Sequence, residues 1–116
     1  MSSRAISLSR PSTDSLDEIA EYIGAQFQKS IIEPELAYKQ SDNIGGVEIM
    51  LLVWERYYAR NSSYANLTVQ LTDDGTIQKA TIIGSGGGSG ILNLSFGANS
   101  SFAEKAADIL KQKQFN

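Results

Sequence analysis

Four consecutive residues, Glu55-Arg56-Tyr57-Tyr58, are the densest group of chemistry-bearing side chains in this sequence. A guanidinium among aromatic rings can take a carboxylate or phosphate through two parallel N–H bonds, the rings supplying apolar walls. In an extended strand, alternation puts Glu55 with Tyr57 on one side and Arg56 with Tyr58 on the other. Trp54 then flanks Arg56 on the second side. The bland alternative is a charge at a strand end, ion-paired or reaching water for structural reasons.

A second candidate is the tract Gly84-Ser85-Gly86-Gly87-Gly88-Ser89-Gly90. Successive backbone amides in such a tract could cradle a phosphate, but the P-loop pattern needs a lysine at its end, and Gly90 leads into Ile91 instead. A dinucleotide fold needs its glycines to open a helix. Here Ile91 to Phe96 alternates as a strand does. Gly84, Gly86, Gly87, Gly88 and Gly90 therefore read as a flexible connecting loop.

The carboxylates Glu33, Glu35, Glu48, Asp73 and Asp74 show no spacing that brings two to one reacting centre. The sequence contains no cysteine and no histidine. Disulfides, thiol nucleophiles, Ser-His-Asp triads and zinc sites built from this chain alone are excluded, and neither a metal nor another cofactor is expected. An enzyme is the least favoured class. A net charge of −3, with scattered lysines and arginines, argues against nucleic-acid or anionic-membrane partners. No apolar stretch has the length of a membrane span or a signal-peptide core, so a cytoplasmic location is expected.

The elements around these residues follow from periodicity. At 116 residues, 41% of them hydrophobic, the chain is read as one domain, residues 1–116, with a packed core. Ala5 to Ser9 alternates as a short strand. Ser15-Leu16-Asp17-Glu18 has capping-box spacing, and Leu16, Ile19, Ala20, Ile23 and Phe27 form the apolar stripe of a helix over about 15–29. Residues 31–39 read as an edge strand or extended arm, Pro34 forbidding a central position, and ending at Ser41-Asp42-Asn43. Val47 to Tyr58 is the strongest strand, apolar at every position from Ile49 to Trp54 and so requiring cover on both sides. The alternating run Ala65 to Leu71 and a return strand Ile77 to Ile83 flank an Asp74-Gly75 hairpin. A last short strand is expected over Ile91–Phe96. Ser101-Phe102-Ala103-Glu104 is read as the cap of a helix with Phe102, Ala106, Ile109 and Leu110 inward.

The fold class is therefore α+β: an antiparallel meander of five to six strands, with two helices packed on one face. The order strand, helix, strands, helix fits a TATA-box-binding-protein-like half best and a helix-grip fold second. Trp54-Glu55-Arg56-Tyr57, Asn66-Leu67-Thr68-Val69, Ile83-Gly84-Ser85-Gly86-Gly87 and Phe102 together resemble a domain-of-unknown-function family of small bacterial proteins, over about residues 45–110. That resemblance implies a stand-alone small cytosolic domain and brings no activity, cofactor or catalytic residue.

The double-sided apolarity of the central strand motivates the functional expectation. A large uncovered apolar patch usually marks an interface, so a self-associating, dimeric, non-enzymatic domain comes first. A small-ligand binder, with an apolar cavity between sheet and helices, is the alternative. The candidate residues are Met50, Leu52, Trp54, Glu55, Arg56, Tyr57 and Tyr58.

Overall fold

The computed structural model describes residues 5–30, 34–58, 63–86 and 92–116. The elements run β1 (Ala5–Pro11), α1 (Leu16–Gln28), β2 (Glu35–Ile44), β3 (Val47–Tyr58), β4 (Ser63–Asp73), β5 (Ile77–Gly86) and α2 (Leu92–Lys111). All five strands form one antiparallel sheet in the order β1-β5-β4-β3-β2. The α+β meander with two helices is thus as read from periodicity.

Register decides which side each residue takes. One face carries the rows Ile6-Ile82-Val69-Leu52 and Leu8-Ala80-Leu71-Met50, continued by Leu67 beside Trp54. These side chains are buried, Ile6 partly, against Ile19, Ile23 and Phe27 of α1 and Phe102, Ala106 and Leu110 of α2. Phe27 meets Trp54 and Phe102 edge-on, with ring centroids 5.3 and 5.8 Å apart. On β2 the first two rows turn polar, as Lys39 and Ser41, and the third ends on the exposed Leu36. That matches the cover: α1 contacts β3 and β4, while α2 contacts β5, β4 and β1. Helices pack about 10 Å apart and strands about 4.8 Å apart, so two helices cover about four strands, and β2 stays exposed along its length.

Helix α1 starts where the capping box places it: Ser15 Oγ accepts from the Glu18 amide at 3.1 Å, and the Glu18 carboxylate accepts from the Ser15 amide at 3.0 Å. The edge strand runs later than expected. Ser41-Asp42-Asn43 lie inside β2, and the chain turns at Gly45 and Gly46, whose φ values of 61° and 87° suit a two-residue hairpin of the primed type. Polar residues do not end an exposed edge strand, whereas this turn requires positive φ.

The expected sixth strand is a correction. Leu92 to Phe96 belong to α2, which runs through the Ser101–Glu104 spacing without a new start. Strand β5 is already paired on both edges, with β4 and β1, so residues 92–96 cannot add to the meander beside it, and they begin the helix instead. Of the glycine tract, Gly84 pairs with Leu67 and Gly86 with Ala65 inside β5. Gly87, Gly88 and Gly90, the rest of the expected loop, lie outside the described residues.

The chain end closes the sheet's first edge. Helix α2 terminates in a Schellman turn, the Phe115 amide donating to the Leu110 carbonyl (3.2 Å) and the Gln114 amide to the Lys111 carbonyl (3.1 Å), with Gln114 at φ 74°. Asn116 then exchanges two backbone hydrogen bonds with Ser9, at 2.9 and 3.0 Å, as an extra strand residue would.

Candidate functional site

The polar row at one end of the helix-covered face runs Arg10-Gln78-Asp73-Glu48-Asn43. Arg10 is 5% exposed and Gln78 fully buried. The Arg10 guanidinium donates to Gln78 Oε1 (2.8 Å) and to the Lys113 carbonyl (2.6 Å), lies 4.7 Å from the Phe115 ring centroid, and reaches Asp14 at 3.4 Å. Gln78 Nε2 donates in turn to Asp73 (2.9 Å) and to the Asp14 carbonyl (2.5 Å). Ser12 Oγ donates to Asp73 at 2.9 Å. The Gln78 bond is the main cause holding the Asp73 carboxyl below its ordinary value. Burial works against it, while the Gly75 amide, Ser12 and the Arg10 charge act with it. Asp74 is held low by the amides of Ile77 and Thr76 in the hairpin. Arg10, Gln78, Asp73, Ser12 and Asp14 each have a partner within the chain, so this end of the row is a structural clamp on the C-terminal residues. Sequence reasoning missed it, although continuing the alternation Ile6, Leu8 would have put Arg10 on the core side.

The residues singled out from the sequence divide between the faces. Met50, Leu52 and Trp54 are 3%, 0% and 3% exposed beneath the helices and are core side chains. Glu55 and Tyr57 point to the opposite, uncovered face; Arg56 is half-buried on the helix side. Tyr58 pairs with Ser63 in the ladder, and its side chain lies outside the described part. Tyr57 stacks at a tilt on Tyr64, centroids 4.9 Å apart, and the two rings are 51% and 54% exposed. Nothing in the sequence run alone announces Tyr64 as a partner; the hairpin register does.

The uncovered face is built from the other set of rows. Ala5-Ile83-Thr68-Val53-Tyr38, Ser7-Thr81-Gln70-Leu51-Gln40 and Ser9-Lys79-Thr72-Ile49-Asp42 cross it in order. Val47 pairs with Ile44 beyond them. The second apolar row of β3 is therefore Val47, Ile49, Leu51 and Val53. Among the described residues of this face, Lys79 is the one basic side chain, and the carboxylates Glu35, Glu55 and Asp42 lie toward the β2 side.

Among the described residues, clefts open at the margin of the helical layer, and two of them have an apolar floor with cations beside it. One, of about 440 Å³, separates α1 from β2, with Leu52 and Trp54 at its floor, Ala20, Gly24 and Leu36 beside them, and Lys39 at its rim. The Lys39 ammonium is 3.4 Å from the Asp17 carboxylate. The other, also about 440 Å³, lies at the C-terminal end of α1 and is lined by Phe27, Phe102, Lys29, Arg56 and Lys105. Among the described residues no cluster of three or more Asp or Glu is placed to hold a metal, and no helix is long and apolar enough to cross a membrane.

Comparison with known proteins supplies a family and no activity. The model of DUF6054, a family of unknown function, matches residues 7–114, nearly the whole sequence, and the chain belongs to that family. No curated protein and no solved structure matches it.

Proposed function

We propose that this member of a family of unknown function works by self-association, a second copy packing on the uncovered face of its sheet. The observation that carries the reading is the row Val47, Ile49, Leu51 and Val53, flanked by Tyr38, Ile83 and the Tyr57–Tyr64 pair, with no helix across it. Depletion of charge at the centre and aromatic residues around it are the composition of an interface core. Five strands about 4.8 Å apart, each about eight residues of 3.3 Å along, outline roughly 600 Å². That approaches the ~800 Å² per partner of a standard interface. A two-fold axis through Leu51 would bring each row onto its own copy, the two sheets crossing at the roughly 30° usual for packed sheets.

The strand and sheet order, β1-β5-β4-β3-β2 with one helix after β1 and one after β5, supports a TATA-box-binding-protein-like half over a helix-grip fold. Lys79 as the one basic side chain described on the uncovered face favours a protein over a nucleic acid as its partner.

Sedimentation equilibrium from low to high micromolar concentration tests the reading. A dimer is expected, and Leu51→Glu, which places a charge at the face's centre without touching the helix-side core, should shift it to monomer with the helical circular dichroism unchanged. A strict monomer at high micromolar concentration refutes the proposal.

A further inference from the structure

The cleft lined by Lys29, Arg56 and Lys105 brings together cations from three separate parts of the chain: the end of α1, the end of β3 and the middle of α2. Each arrives for a reason visible in its element. Lys29 is the C-cap of α1, two residues past the buried Phe27. Lys105 follows the buried Phe102 by three positions, so both share one side of α2. Arg56 follows Trp54 by two on the helix side of β3 and pairs with Ala65 on β4, whose small side chain leaves space beside it. No carboxylate is among the described residues lining the cleft. Its inner wall is aromatic: Phe27 and Phe102, each 1% exposed, meet edge-on there. A chain with net charge −3 thus concentrates three of its ten cationic side chains around an apolar-floored space of about 440 Å³, within the size range of small-molecule sites.

We infer that this cleft binds a small amphipathic anion, its carboxylate or phosphate group held by Lys29, Arg56 and Lys105 and its apolar body laid toward Phe27 and Phe102. Arg56 is the half-buried member and sets the head group's orientation through its planar fork, while the two exposed lysines add charge. The site lies on the opposite side of the sheet from the proposed self-association face and does not depend on that reading.

The sequence has one tryptophan, and the Trp54 and Phe27 rings meet edge-on with centroids 5.3 Å apart, so its emission responds to changes at Phe27; Trp54 also floors the cleft between α1 and β2, and the Lys29 and Lys105 variants tell the two clefts apart. Titration of the full chain with octanoate should change that emission saturably. Octylammonium, of equal chain length and opposite charge, should leave it unchanged, and inorganic phosphate alone should bind more weakly than octanoate. Lys29→Gln combined with Lys105→Gln alters two exposed side chains and should weaken octanoate binding about two- to fivefold for each lysine, with the loss shrinking as salt is raised. Equal responses to octanoate and octylammonium, octanoate binding unchanged in the double variant, or no saturable response at all would each overturn the inference. Sedimentation of the same samples reads the oligomeric state separately.

Discussion

Replacing Arg10 by methionine tests how the C-terminal residues are held. The guanidinium is almost fully buried and makes two short charge-assisted hydrogen bonds, to Gln78 Oε1 at 2.8 Å and to the Lys113 carbonyl at 2.6 Å. Its third polar contact, to Asp14 at 3.4 Å, is long, and the Asp14 side chain is 38% exposed, so that pair contributes little. Methionine keeps the stem's packing near Phe115 but leaves the Gln78 oxygen and the Lys113 carbonyl without their donor. Hydrogen bonds to charged groups contribute about 1.5–3 kcal/mol each, so losing two of them should cost about 3 kcal/mol. With a urea slope of about 1.5 kcal/mol/M, the unfolding midpoint should fall by about 2 M. Urea unfolding followed by circular dichroism at pH 7 measures it. A midpoint shift below about 0.5 M at unchanged slope refutes the reasoning. Gln78→Leu and the double variant close the cycle: a coupling of about 1 kcal/mol or more is expected for two residues in one network, and a coupling near zero would deny that they act together.

Two further predictions concern the same end of the molecule. Because the Asp73 pKa is lowered on folding, its contribution is fully present above the ordinary carboxylate value of about 4 and is lost as pH falls through the lower folded value. Stability should therefore decline on acidification through that window. Asp73→Asn should flatten the decline; an unchanged pH profile in urea titrations would contradict the assignment. Gln114 holds a left-handed conformation that glycine adopts without strain, so Gln114→Gly should raise stability by roughly 0.5 kcal/mol after the entropy cost of the added glycine. Equal stability gains from Gln114→Gly and Gln114→Ala in thermal melts would show that backbone strain is not the cause.

Most of the fold was legible because it rests on local signals: the capping box at Ser15, the stripe through Phe27, the alternation from Ala65 to Leu71 and the Asp74-Gly75 turn. The failure at Leu92–Phe96 was of another kind. Five alternating residues suit a strand or a helix turn equally, and what decides between them is that both edges of β5 are occupied, a fact of topology that no short window contains. The candidate site was legible only in part. Alternation separates Glu55 and Tyr57 from Arg56, but it does not say which side the helices take. Met50, Leu52 and Trp54 therefore read as interface candidates until the helices' place on the sheet is known. The lysines beside Arg56 come from positions 27 residues before it and 49 after it, distances at which sequence patterning carries no information.

The double-sided apolarity of β3 now has a separate physical account for each side. Its even-numbered residues, Met50, Leu52 and Trp54, are consumed by the core, so burial explains them without any partner. Its odd-numbered residues, Val47, Ile49, Leu51 and Val53, are half-buried among their sheet neighbours with no helix over them in the described part, yet a polar choice at those positions would have cost the helix-side core nothing. An apolar row that no helix covers and that folding does not require points to a cause outside the fold, which is why self-association is proposed for that side. Arg56 stands on the other face. It continues the core-facing row and lies where α1 ends and Lys29 and Lys105 approach. On one face the strand retains more apolar surface than folding needs, and on the other it brings the half-buried Arg56 beside two lysines at a cleft. These are the two positions where function, rather than stability, is expected to have chosen the residue.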